Sequence, residues 1–279
     1  MKTRKRFGQH FLAPAWADKV VEAIAPRPDD RFLEIGPGPG ALTLRLAPRV
    51  AHLTAVEVDR DLARDLAPRL PPNATVVPAD VLDFDVAPLV SAGPLRVAGN
   101  LPYNISSPIL FRLLEINKTG QPPLFSSEGN SLSIRDATLM LQREVADRLA
   151  ARPGTKDYGL LTVFVRAQAD VERVLSLPPG AFRPVPKVHS AVVRLTFKPD
   201  VVPASLRDTF ERMVRSMFTQ RRKTLGNALR PFADSVGAVT SQALSAAGID
   251  TTRRPETLDL RDLVALSSAL KAPGSGPQP

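Results

Sequence analysis

The chain has 279 residues, 43% of them apolar, and 37 Lys and Arg against 28 Asp and Glu, a net charge of +9 at pH 7. That length supports a sizeable core and about two domains, and the positive balance points to nucleic acid or another anionic partner. With no cysteine there is no disulfide, thiolate chemistry or cysteine-bound metal. The three histidines, His10, His52 and His189, lack metal-ligand spacing, and no apolar run nears the roughly 20 residues of a membrane span.

The N-terminal "MKTRKRFGQHFL" is basic and has no secretory apolar stretch, so the cytoplasm is the expected compartment. Lys2, Arg4, Lys5 and Arg6 suit an arm that tracks phosphates. The first two thirds then alternate between two patterns. Strand-like runs occur at "RFLEIG" (31–36), "HLTAVEVD" (52–59), "ATVVPAD" (74–80) and "LRVAGN" (95–100), with helical patterns such as "RDLARDLAPRL" and "SPILFRLLE" between them. Residues 116–133, polar and rich in Pro, Gly and Ser, read as a long loop. Strands are expected again at 137–142, 160–168 and 190–197. Alternation of this kind predicts βαβ units and a mostly parallel sheet covered by helices. In such sheets ligands bind beyond the carboxyl ends of the strands, so Gly36, Glu57, Asp80 and Asn100, each at a strand end, are expected to line one crevice.

After Pro199 the pattern turns helical, with apolar residues at helical spacing in "SLRDTFERMVRSMFTQRRKTLGNALRPF" and "TSQALSAAGI". The chain therefore divides into an α/β domain (1–200), a small all-helical domain (201–270) and a disordered tail (271–279). Arg221, Arg222 and Lys223, consecutive on a predicted helix, would fan around ~200° of its surface, so at least one faces solvent and is available to phosphate.

"LEIGPGPGALT" sets Gly36, Gly38 and Gly40 between a strand and a helix, where backbone can approach a ligand closely. Formally the glycines and Glu57 also fit a dinucleotide fingerprint, and this motif alone does not separate NAD from S-adenosylmethionine. Glu34 favours the second: a carboxylate just before the first glycine opposes a pyrophosphate but suits a sulfonium or ammonium. Asp80 offers a further acceptor, suited to an adenine amino group.

"NLPYNIS" follows the strand at 95–100. An amide, a proline and an aromatic ring together suit a base whose exocyclic amine must be activated. That nitrogen's lone pair is delocalised into the ring. Asn100 and the carbonyl of Leu101, shaped by Pro102, are expected to accept the two amine hydrogens and so draw the nitrogen toward a tetrahedral form. The Tyr103 ring stacks on the base, worth ~1–3 kcal/mol.

"FGQHFL", "LEIGPGPGALT", "VEVDRDL", "NLPYNISSPIL", "FRPVPKVHSAVV" and "FTQRRKTLGNAL" occur in that order, and from about Arg4 to Leu270 the chain resembles the ribosomal RNA adenine dimethyltransferase family. The resemblance implies a Rossmann-like S-adenosylmethionine-dependent methyltransferase sheet with a small C-terminal all-helical domain. It implies dimethylation of two adjacent adenosines near the 3′ end of small-subunit rRNA, within a pre-ribosomal 30S particle; a monomer with no metal is expected. Cofactor contacts would fall on His10, Leu12, Gly36, Gly38, Glu57, Asp80 and Asn100, with His10 standing where the family often has Asn. Phe182 would be the second aromatic at the target base, on a loop stiffened by Pro184 and Pro186. The alternatives are a large-subunit rRNA methyltransferase of the antibiotic-resistance type and a non-catalytic ribosome-assembly factor. An NAD-dependent dehydrogenase is a more distant one.

Overall fold

The structure, a computed structural model, describes residues 10–119 and 134–271. Lys2, Arg4, Lys5, Arg6, most of the expected loop and the tail from 272 lie outside the described residues. In chain order the elements are β1 (Phe11–Leu12), α1 (Pro14–Ile24), β2 (Arg31–Ile35), α2 (Thr43–Leu46), β3 (His52–Glu57), α3 (Arg60–Leu66), β4 (Ala74–Pro78), α4 (Ala87–Ser91), β5 (Leu95–Asn100) and α5 (Ser106–Thr119). There follow β6 (Ile134–Gln142), α6 (Arg143–Ala150), α7 (Leu160–Gln168), β7 (Ala169–Leu177), β8 (Phe182–Arg183) and β9 (Ser190–Phe197). The chain closes with α8 (Arg207–Phe218), α9 (Leu225–Ala228), α10 (Arg230–Ser235), α11 (Thr240–Ala246) and α12 (Leu260–Leu270). Two compact units result. One holds the residues up to Ala146 and Ala169–Pro199; the other holds Asp147–Gln168 and the residues from Asp200 onward.

The first unit is a seven-stranded sheet in the order β4-β3-β2-β5-β6-β9-β7. Its first five strands are parallel, and β9 runs antiparallel to both β6 and β7. The chain winds outward from β2 through β3 to β4, then crosses back to place β5 on the other side of β2. That reversal opens a crevice beyond the carboxyl ends of β2 and β5. Asp59 caps α3 by accepting from the amides of Asp61 and Leu62, which fixes where β3 ends and the helix begins. Against the sheet, α1 buries Val20, Val21 and Ile24 in one cluster with Phe32, Leu53 and Met140.

Two features hold the frame. At the amino end of β5, buried Arg96 donates to Asp30 (2.6 Å), to Asp136 (2.9 Å) and to the carbonyls of Ile24 and Ala25. Four of its five N–H groups meet acceptors, two of them carboxylates, which is what a charge in the core requires. At the carboxyl end, Gly99 sits where a Cβ would come 2.6 Å from the Ile35 carbonyl oxygen, so β5 can approach β2 this closely only with glycine there. Gly99→Ala is expected to lower stability by about 1–3 kcal/mol, read as a fall in the urea midpoint at constant slope.

Two expectations about the elements are corrected. Residues 160–168 form α7, not a strand: Val163, Phe164 and Val165 are all buried, and a short run apolar on every side suits either element. The strand lies instead at 169–177, an edge strand with Asp170, Glu172 and Arg173 exposed. The expected loop from 116 begins inside α5, which continues to Thr119.

In the second unit α8 buries Phe210, Met213, Val214 and Met217 along one stripe, and the buried Tyr158 hydroxyl donates to the Leu258 carbonyl (2.8 Å). Residues 147–168 belong to this unit, which a single linear division at 200 leaves out. Helix α8 ends at Phe218, so Arg221, Arg222 and Lys223 lie on the turn beyond it and not on a helix. Arg221 donates to the carbonyls of Lys156 and Tyr158 (3.0 Å each), whereas Arg222 and Lys223 are exposed.

Candidate active site

A cavity of about 260 Å³ opens at the strand-order reversal, and Gly36, Glu57, Asp80 and Asn100 all line it. The turn after β2 bends through left-handed backbone at Gly36 (φ 64°) and Gly38 (φ 55°), a region open to glycine at little cost. A Cβ on Gly38 would also come 3.2 Å from the Phe11 ring. The Gly38 amide donates to Glu57 Oε2 (2.9 Å) and the Asp59 amide to Oε1 (2.9 Å), so the end of β3 sets the shape of the turn. Each Glu57 oxygen keeps a lone pair for a ligand hydroxyl. Asp80 is exposed; one oxygen accepts from the Leu82 amide (2.9 Å) while the side chain borders the cavity.

Glu34 stands at the cavity floor, 1% exposed, with Oε2 lacking any hydrogen-bond partner among the described residues. Burial pushes its pKa up to about 8; Thr43 offsets this in part, and the neighbouring charge of Glu57 adds to it. Burial raises Glu57 as well. Two carboxyls that burial makes hard to ionise favour a cationic or hydrogen-donating ligand beside them.

At the end of β5, Asn100 Nδ2 donates to the His10 carbonyl (2.8 Å). A carbonyl only accepts, so this bond settles the amide's polarity and leaves Oδ1 as the acceptor. Leu101 is anchored through its amide to the Met140 carbonyl (3.2 Å). Leu101, Pro102 and Tyr103 continue the wall. The Tyr103 ring lies 5.6 Å from the His10 ring at 26°, and its hydroxyl bonds Ser190 Oγ (2.8 Å). His10 Nδ1 donates to the Pro184 carbonyl (2.7 Å), which brings the N-terminal segment, the motif at 100–103 and the loop after β8 together.

His10 and Leu12 line the cavity as expected from the sequence, but Phe182 does not. It is 0% exposed, pairs with Leu12 across β1 and β8, and belongs to the core cluster. The expected second aromatic wall is therefore corrected: burial of a large ring outweighs presenting it to solvent. Sequence reasoning also passed over Phe11, whose ring seats Gly38, and Ser190. The quoted runs "FGQHFL" and "KVHSAVV" contain both, but neither residue type announces a contact so distant in sequence.

This reversal, turn and amide-bearing strand end make the first unit a Rossmann-like methyltransferase domain. Among solved structures, a dimethyladenosine transferase from Plasmodium falciparum is similar at TM-score 0.71 and 26% identity, covering 92% of this chain and 96% of that one. The 23S rRNA methyltransferase ErmE is similar at TM-score 0.65 and 29% identity, covering 94% and 100%. A family model described as ribosomal RNA adenine dimethylase matches residues 1–266, and the chain belongs to that family. Curated relatives include the ribosomal RNA small subunit methyltransferases A of Nitrosococcus oceani, 45% identical over 95% of both chains, and of Acinetobacter baylyi, 44% identical over 96% of this chain and 93% of its own.

The residues present fit S-adenosylmethionine, this family's methyl donor. The unpartnered buried Glu34 oxygen asks for a cation or donor, Glu57 retains acceptors for a ribose, and the glycine turn admits a close ligand.

Proposed function

We propose that the protein dimethylates the exocyclic amine of adenosine in small-subunit rRNA, at two adjacent nucleotides near the 3′ end, acting as a monomer on a pre-ribosomal 30S particle. The observation that carries this reading is the Asn100 amide, held with its nitrogen on the His10 carbonyl so that its oxygen is left to accept. S-adenosylmethionine, held by Glu34, Glu57, Asp80 and the glycine turn, supplies an electrophilic methyl group on a sulfonium. Asn100 Oδ1 accepts one hydrogen of the target amine and the Leu101 carbonyl the other, which draws the nitrogen lone pair out of conjugation. Tyr103 stacks on the base. As the new N–C bond forms, the C–S bond would break to leave a neutral thioether, and the acidic ammonium so formed would give its proton to solvent. No strong base is therefore required before transfer, and the rate comes chiefly from positioning. Similarity supports the small subunit: curated relatives named for it are 44–45% identical over most of this chain. Membrane attachment is not part of this reading; among the described residues no helix is long and apolar enough to cross a bilayer.

Incubation with labelled S-adenosylmethionine and undermethylated small subunits, followed by mass-spectrometric mapping, is expected to place dimethyladenosine at two neighbouring positions of small-subunit rRNA. Label appearing in large-subunit rRNA instead would overturn the assignment. For rRNA binding, replacing exposed Arg222 and Lys223 by Ala is expected to reduce the slope of log affinity against log salt by about 2. Arg221→Ala is expected to act on folding, since its guanidinium closes a loop of its own unit. Filter binding over a salt series separates the two.

A further inference from the structure

The Tyr103 hydroxyl and Ser190 Oγ are 2.8 Å apart, and nothing in the chemistry above uses that bond. The two partners differ in how firmly they are held. Ser190 is 1% exposed and begins β9, paired with Gln142 of β6 on one side and Leu177 of β7 on the other. It is a fixed point of the sheet. Tyr103 is half-buried on the turn between β5 and α5, outside any ladder, and its ring is held by the His10 ring at 5.6 Å and by the Ser190 bond at its hydroxyl end. The Arg143 amide donates to the His189 carbonyl (2.9 Å), which pins the residue next to Ser190 as well.

We infer that Ser190 is a positioning residue: its hydroxyl, anchored in the sheet, holds the Tyr103 ring at the angle needed to stack on the target base beside Asn100. The inference rests on the reading of Tyr103 as the stacking surface. The burial that pushes the Tyr103 phenol above its ordinary value keeps it a neutral partner. The hydroxyls carry no part of the reaction and act only through ring orientation. Their loss therefore slows transfer without weakening rRNA capture, which phosphate contacts dominate.

The test is a double-mutant cycle in the full chain with Ser190→Ala, Tyr103→Phe and both together, adding Tyr103→Ala as a reference. Tyr103→Phe deletes the bond from the half-buried end and covers the case in which Ser190→Ala disturbs folding. Each single change is expected to lower the single-turnover rate about tenfold. The affinities for S-adenosylmethionine and undermethylated subunits should stay within about twofold, and the double variant should be no slower than the slower single one. Singles at full rate, a double variant showing the product of the two losses, or a rate loss that follows the folded fraction would each overturn the inference. Tyr103→Ala separates the two levels. If it is slow while both hydroxyl deletions are fast, only the Ser190 role fails; if it too is fast, the stacking role of Tyr103 fails.

Discussion

Asn100→Ala is expected to slow methyl transfer by about 10²–10³-fold at saturating cofactor, the loss typical when one preorganised group serving the transition state is removed. The more telling change is Asn100→Asp. It keeps a carboxyl oxygen where Oδ1 stands, so a site that needed only an acceptor would tolerate it. The wild-type nitrogen, however, donates to the His10 carbonyl at 2.8 Å. Asp puts oxygen against oxygen there, and either the side chain rotates away or the segment carrying His10 lifts. Asn100→Asp should therefore be no faster than Asn100→Ala, measured as single-turnover rates with labelled cofactor. Near-full activity in the Asp variant would mean that the His10 contact does not set the amide, and the proposed activation would fall with it.

Glu34→Gln is expected to separate stability from binding. A carboxyl whose folded-state pKa is about 8 against an ordinary 4.5 keeps its proton longer in the fold than in the unfolded chain. Its contribution is fully present below the lower value and is lost as pH rises toward the upper one, at about 1.4 kcal/mol per pH unit. In the ligand-free protein, Glu34→Gln should flatten that part of the decline in stability between about pH 5 and 8 and leave the variant more stable at pH 8. Raised Glu57 contributes to the wild-type slope too, and because the two carboxyls interact, the difference between the two proteins reads Glu34 together with its coupling to Glu57. Cofactor affinity should move the other way. A neutral amide cannot meet a cationic group as a carboxylate does, and affinity is expected to fall at least tenfold at pH 8 by calorimetry. Equal affinities in the two proteins would remove Glu34 from the cofactor site.

The half of the site made by parallel strands was legible in the sequence for a physical reason. Parallel strands covered by helices put all their carboxyl ends on one edge, so Gly36, Glu57, Asp80 and Asn100 could be brought together from strand ends alone. The half made by distant segments was not. His10 meets Asn100 across 90 residues and Pro184 across 174, through backbone carbonyls that carry no residue-specific signal. Phe182 misled because an aromatic in a proline-rich motif reads the same whether it faces a ligand or the core; the pairing of β1 with β8 decides it. Residues 160–168 misled because a helix buried on all sides loses its period. Arg221–Lys223 lay too near a helix end for the pattern to say on which side of it they fall.

The helical unit is assembled from two stretches of chain, Asp147–Gln168 and the residues from Asp200 onward, with the β7–β9 segment between them. During synthesis α7 emerges well before its partners α8 and α12, and the Tyr158 hydroxyl waits 100 residues for the Leu258 carbonyl it bonds. The order of translation therefore lets the seven-stranded sheet close first. The helical unit is completed last, once the segment carrying α12 has emerged, and until then α7 stands without the partners that cover it.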